Sequence, residues 1–158
     1  MARKRIGVGV ISLGWMGRLH TRSYKALREK YPELEVDIDL VVCCDLIEEN
    51  RRVAVENLGF SKAVEDYHEV LNDPEVDIVS ICAPNFLHHE IAMATIAAGK
   101  PFWIEKPMGI SAAQSKDIAE GAARAGLITS VGFNYRHTPA IELGRKLIAE
   151  GKLGTITN

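Results

Sequence analysis

The amino-acid sequence predicts an α/β protein, a doubly wound parallel sheet with helices on both of its faces. Short apolar runs of strand length, several rich in Val and Ile, alternate with longer segments of helical periodicity. Glycines stand at the ends of four helical segments, and a Gly-x-x-Gly turn joins the first strand to the first helix. The chain has 158 residues, 47% hydrophobic and 25% charged, which is enough apolar surface for one full core.

The strand candidates, in order, are Arg5 to Ser12, Ile38 to Asp45, Lys62 to Val64, Ile78 to Ala83, Pro101 to Ile104 and Thr129 to Phe133. Helices are predicted at Met16 to Lys30, Glu48 to Leu58, Tyr67 to Leu71, Leu87 to Ala98, Ala112 to Ala125 and Pro139 to Glu150. Gly59, Gly99, Gly126 and Gly151 suit the left-handed residue that ends a helix, and Asn85 and Ser111 suit a beginning. There is no internal repeat, no low-complexity stretch, and no linker before about residue 134. The last residues, Thr155 to Asn158, read as the start of a new strand, followed by neither a cap nor a polar tail, as a cut would leave it.

Charge and composition narrow the partners. Lys and Arg total 19 against 21 Asp and Glu, a net charge of −2, so nothing draws the chain to nucleic acid or to an anionic membrane. No apolar run reaches the roughly 18 residues that cross a bilayer. The basic start Ala2-Arg3-Lys4-Arg5 and the apolar run behind it imitate a secretion signal, but Gly7, Gly9, Ser12 and Gly14 break the run and no cleavage site follows. Cys43, Cys44 and Cys82 fall in strand-like runs without framework spacing, which fits reduced core thiols and a cytoplasmic location.

Ser12-Leu13-Gly14-Trp15-Met16-Gly17 follows a strand and opens a helix, the context of the Rossmann-type dinucleotide-binding fingerprint. Gly14 lets the backbone approach a pyrophosphate, and Gly17 lets helix and strand pack closely. Ser12 stands where the first glycine is usual. It serves the turn provided that its backbone stays out of the region that glycine alone enters easily. Asp45 ends the second strand where an adenosine ribose would lie; either it accepts from both ribose hydroxyls, favouring NAD over NADP, or it is simply the acid before Glu48 that caps a helix. It lies 28 residues beyond Gly17, more than the usual spacing of about 20, and the loop "YPELEVDID" accounts for the excess.

Two later segments complete the crevice. Cys82-Ala83-Pro84-Asn85-Phe86-Leu87-His88-His89-Glu90 follows the fourth strand at the switch point; its histidines either line the crevice or belong to the next helix. "AGKPFWIEKPMG" delivers Glu105, Lys106 and Pro107 to a strand end. There Glu105 either hydrogen-bonds a ribose or holds the lysine, and Lys106 donates to a substrate oxygen. An exposed Glu-Lys pair is otherwise ordinary surface.

Taken in order, the glycine turn, Asp45, Pro84-Asn85-Phe86-Leu87-His88, Ala98-Gly99-Lys100, Glu105-Lys106-Pro107 and Gly132-Phe133-Asn134-Tyr135-Arg136 resemble the Gfo/Idh/MocA oxidoreductases, named for glucose-fructose oxidoreductase and inositol dehydrogenase. The resemblance implies that the Ser12 to Gly17 turn holds the pyrophosphate of NAD, with NADP less favoured, that Asp45 holds the adenosine ribose, and that Ala83 to His88 line the inner half. It implies Glu105 at the nicotinamide ribose, Pro107 beside it, Lys106 as the active-site lysine, and Asn134 and Arg136 near the cleft. No residue is assigned to a metal.

By the same resemblance, residues 1–133 form the dinucleotide-binding domain, and 134–158 connect toward a second α/β domain that carries a catalytic Asp and His. None of His20, His68 or His137 stands in for them. The function expected is hydride transfer between NAD and a small-molecule substrate, a sugar, cyclitol or related polyol, with homo-oligomers possible through the end segment. The alternative is a nucleotide-binding or redox-sensing module without catalysis, against which the intact Glu105-Lys106-Pro107 argues.

Overall fold

In the computed structural model, which describes residues 3–157, the apolar run Lys4–Ile11 forms β1 at the middle of the sheet. β2 (Val36–Cys44) and β3 (Lys62–Val64) lie to one side, and β4 (Ile78–Ile81), β5 (Phe102–Ile104) and β6 (Thr129–Val131) to the other. Every pairing is parallel and the order is β3-β2-β1-β4-β5-β6. The chain therefore reverses direction at the β1/β4 boundary, where a crevice opens at the carboxyl ends of the strands.

Six helices complete the alternation: α1 (Trp15–Lys30), α2 (Glu48–Val53), α3 (Tyr67–Asn72), α4 (His88–Ala97), α5 (Ala112–Arg124) and α6 (Pro139–Ala149). Because side chains of a strand alternate between faces, Val8 and Val10 of β1 join Leu40, Cys43 and Phe60 in a core that Tyr24 of α1 also meets. Val79, Ile81, Phe102 and Ile104 face the other way and pack with Ile91 of α4 and Ile118 of α5. Val10, Ser80, Trp103 and Ser130 are neighbours in register across β1, β4, β5 and β6, so Ser80 is a hydroxyl in an otherwise apolar strand, on the face toward α1.

The element order is as expected; the ends differ. Strand endings predicted at Ser12, Asp45, Ala83 and Phe133 fall one or two residues earlier, because those residues turn away from the sheet to build the crevice. Gly59, Gly99, Gly126 and Gly151 all take the left-handed conformation, with φ of 86°, 68°, 66° and 69°. Ser111 caps α5, its hydroxyl accepting from the Gln114 amide at 3.2 Å. Asn85 caps nothing: it starts a 3₁₀ turn, Asn85–Leu87, that precedes α4, and Pro84 occupies the cap position. The segment after α2 widens into a π turn over Ala54–Leu58. Thr155–Thr157 form no strand, since no neighbouring strand lies beside them, and Asn158 is outside the described residues. Among the described residues no helix is long and apolar enough to cross a membrane.

Candidate functional site

The phosphate turn is shaped by two close approaches and one open space. A Cβ on Gly17 would lie 2.0 Å from the Ser12 carbonyl oxygen, so only glycine allows α1 to start against the end of β1. A Cβ on Gly14 would meet nothing within 4 Å. The space above Gly14 is open at the start of the sixteen-residue α1 and can admit a phosphate. No side chain caps that helix and no acid occupies its first turn, so its free N–H groups and dipole face an anion without competition.

Ser12 corrects the condition set for it. Its φ is +73°, inside the left-handed region it was expected to avoid, at a cost of about 1–2 kcal/mol for a residue with a Cβ. The conformation is held from both sides. Ser12 N–H donates to the Cys44 carbonyl at 2.7 Å, and Leu13 N–H donates to Asp45 Oδ2 at 2.7 Å.

Asp45 is buried, with 7% exposure. Besides Leu13, its Oδ1 accepts from the Ile47 amide at 2.8 Å, a turn that precedes α2; the cap position of α2 is Ile47 and no side chain caps it, so Asp45 faces the crevice without capping the helix. A carboxylate offers about four acceptor positions, which leaves lone pairs on both oxygens for ribose hydroxyls. Arg51 is drawn in alongside: its guanidinium donates to the carbonyls of Asp45 (2.7 Å) and Leu46 (3.0 Å) and lies 3.6 Å from Glu65. Next to Asp45 is a cavity of about 480 Å³, with Ile47, Tyr67, Ala83, Pro84 and Phe86 among its walls, a size suited to a nucleoside.

The far end of the crevice is built on β5. Glu105 is buried at 6% exposure and accepts from His20 Nε2 of α1 at 3.0 Å. Gly132 lies so close that a Cβ there would be 2.4 Å from Glu105 Oε1. Glu105 does not hold the lysine: Lys106 is exposed and forms no side-chain ion pair among the described residues. The Lys106-Pro107 peptide bond is cis.

His88 is also corrected. It is 1% exposed and lies inside the fold, its Nδ1 2.8 Å from the Pro107 carbonyl and its Nε2 2.8 Å from the Ala83 carbonyl. Its polar atoms are spent on backbone and do not line the crevice. Trp15 projects into solvent beside the turn at 78% exposure, while Leu13 is fully buried beneath it and Met16 is half-buried. Asn134 and Arg136 are exposed in a 3₁₀ turn, Asn134–His137, beyond β6 and outside the walls of the cavity.

His20, Ser80 and Tyr24 are the site-supporting residues that sequence reasoning passed over. His20 and Tyr24 are four apart on α1, hence on one face, and Ser80 interrupts an apolar strand; a buried hydroxyl needs a partner. The thiols are not reactive groups: burial pushes Cys43 and Cys44 up to about 12 and Cys82 well above the usual thiol range.

A phosphate-ready turn, an acid at the second strand end and a nucleoside-sized cavity at the switch point define a dinucleotide-binding Rossmann domain. Residues 6–133 match the family model described as "Oxidoreductase family, NAD-binding Rossmann fold", and the chain belongs to that family, Gfo/Idh/MocA. It is 34% identical over 157 residues to levoglucosan dehydrogenase of Pseudarthrobacter phenanthrenivorans, covering 97% of this chain and 39% of that protein. It is 30% identical over 149 residues to an inositol 2-dehydrogenase/D-chiro-inositol 3-dehydrogenase of Lactiplantibacillus plantarum, covering 93% and 41%. Among solved structures, levoglucosan dehydrogenase in complex with NADH superposes with a TM-score of 0.90 at 33% identity, covering 97% of this chain and 41% of that one. The chain thus spans about two fifths of the length of these relatives.

Proposed function

We propose that this chain is the cofactor-holding part of a dehydrogenase that moves a hydride between the nicotinamide of NAD and a CH–OH carbon of a sugar, cyclitol or related polyol. The observation that carries the reading is the open space over Gly14 at the uncapped start of α1, which shares one cavity with Asp45, while Lys106 follows β5 at the same carboxyl edge of the parallel sheet. Relatives named as levoglucosan and inositol dehydrogenases support the substrate class.

In this reading the Ser12 to Gly17 turn holds the pyrophosphate through the amides that Cys44 and Asp45 do not already engage, Asp45 accepts from the adenosine ribose hydroxyls, and Ala83, Pro84 and Asn85 flank the inner half. NAD supplies the hydride acceptor when bound. Glu105 and Pro107 shape the nicotinamide end. Lys106 binds the reacting oxygen through its ammonium and assists movement of the hydroxyl proton. Asn134 and Arg136 border the cleft from the turn after β6. Residues 1–133 form the nucleotide-binding unit, residues 134–158 lead onward from it, and a second copy docks through that end segment, where Ile141, Leu143 and Ile148 are exposed. Three free cysteines support a cytoplasmic setting.

The preference for NAD over NADP follows from charge. The Asp45 carboxylate repels a 2′-phosphate, and Arg51, the cation best placed to compensate, is engaged by two carbonyls and Glu65. Calorimetric titration with NADH and NADPH tests this. NADH is expected to bind at least about tenfold more tightly, in line with about 1.4 kcal/mol of charge repulsion; equal affinities, or tighter NADPH, would overturn the assignment.

A further inference from the structure

Lys106 is exposed and makes no side-chain ion pair of its own among the described residues, yet a histidine lies against the residue on either side of it, half-buried His20 and buried His88. On one side, His20 Nε2 reaches Glu105 Oε1 at 3.0 Å, with the side chains 12% and 8% exposed. On the other, His88 Nδ1 reaches the Pro107 carbonyl at 2.8 Å. The two rings come from different layers, His20 from α1 on one face of the sheet and His88 from the start of α4 on the opposite face.

His20 is itself oriented, and His88 ties to Pro107 when its Nδ1 carries the proton. A carboxylate only accepts, so His20 Nε2 carries the proton and Nδ1 is left as an acceptor. Ser80 Oγ lies 3.3 Å from that Nδ1, and Tyr24 OH lies 2.8 Å from Ser80 Oγ. Burial raises the Tyr24 phenol above its ordinary value, so it stays a donor. Donation then runs one way, from Tyr24 to Ser80 to His20 to Glu105, and Trp103 packs edge-on against the His20 ring with 5.8 Å between centroids. On the other side, His88 Nε2 faces the Ala83 carbonyl at 2.8 Å, so either ring nitrogen meets a carbonyl when it carries a proton.

We propose that His20 and His88 are positioning residues that clamp the Glu105-Lys106-Pro107 segment from opposite faces of the sheet and so fix Lys106 at the nicotinamide end of the crevice. The role given to that end rests on the cofactor reading above; the clamp itself is testable without any ligand.

The test compares His20→Leu and His88→Leu with His20→Gln and His88→Gln, since glutamine keeps a donor for Glu105 and an acceptor for Ser80 at position 20, and its NH₂ keeps a donor for the Pro107 carbonyl at position 88. In the unliganded chain, amide hydrogen exchange at Glu105, whose N–H donates to the Ile81 carbonyl at 3.0 Å, is expected to speed by about tenfold in the Leu variants, while Leu13 and Ile47, held by Asp45, stay unchanged. The Gln variants restore slow exchange. Unchanged exchange at Glu105, or equal acceleration at Leu13, would overturn the clamp, and the His20 pair decides the point even where His88→Leu fails to fold.

Titration supplies the functional arm. His20→Leu is expected to weaken NADH by about tenfold and ADP-ribose, which lacks the nicotinamide, by less than about twofold. Equal weakening of both contradicts positioning at the nicotinamide end. A folded wild-type chain that binds neither ligand contradicts the cofactor reading instead, and the exchange experiment still decides the clamp.

Discussion

The two ends of the crevice are made rigid by different means. At the end proposed for adenosine, the carboxylate is held by main chain: Asp45 takes the amides of Leu13 and Ile47, and Ser12 is tied to Cys44. At the end proposed for the nicotinamide the holding groups are side chains from elsewhere, His20 on Glu105 across 85 residues and His88 on the Pro107 carbonyl across 19. Helix α1 serves both, because its first turn frames the phosphate space and its second carries His20. The difference shows that one end tolerates change around it, whereas the other depends on the packing of two helices against the sheet.

Three substitutions break or sharpen that contrast. The largest effect is expected from Gly17→Val. Its Cβ would stand 2.0 Å from the Ser12 carbonyl, so α1 must shift and both ends suffer. A loss of about 3 kcal/mol in denaturant unfolding, together with lost NADH binding, is the expected result. Asp45→Ala should damage the adenosine end alone. It strands the buried Leu13 amide, costing about 2 kcal/mol, and should leave exchange at Glu105 and Lys106 as in the wild type.

Ser12→Gly is the mildest and has the opposite sign. Relief of the +73° φ should stabilise the chain by about 1 kcal/mol, reduced by the greater freedom glycine gains in the unfolded chain. A higher melting temperature with unchanged NADH affinity would show that the serine is tolerated at a cost to stability and not to binding.

How much of this was legible in the sequence follows the same divide. The strand and helix order, the four left-handed glycines and the close packing at Gly17 depend on local spacing, which a single chain displays. The strands end before Ala83 and Phe133 although apolar character continues there, and before Ser12 and Asp45, which turn away into the crevice, because pairing is set by the neighbouring strand. The expected strand at Thr155–Thr157 fails for the same reason, with no partner beside it. His20 and His88 were hidden because their partners are tertiary. Nothing near His20 in sequence points to Glu105, although the polar His20 and Tyr24 share one face of α1 and the lone hydroxyl of Ser80 interrupts apolar β4, where a buried polar group needs a partner.

The central claim is that the space over Gly14 is a phosphate site, and Gly14→Val tests it most directly. Gly14 has an ordinary φ of −65° and its Cβ would meet no atom within 4 Å, so the variant should unfold at the wild-type temperature, within about 0.5 kcal/mol as for a surface change. Calorimetric titration of that folded variant with NADH should show binding lost or weakened at least about a hundredfold, as expected when backbone contact with a pyrophosphate is blocked. Wild-type affinity for NADH in the folded variant would mean that the turn does not hold the cofactor's phosphates.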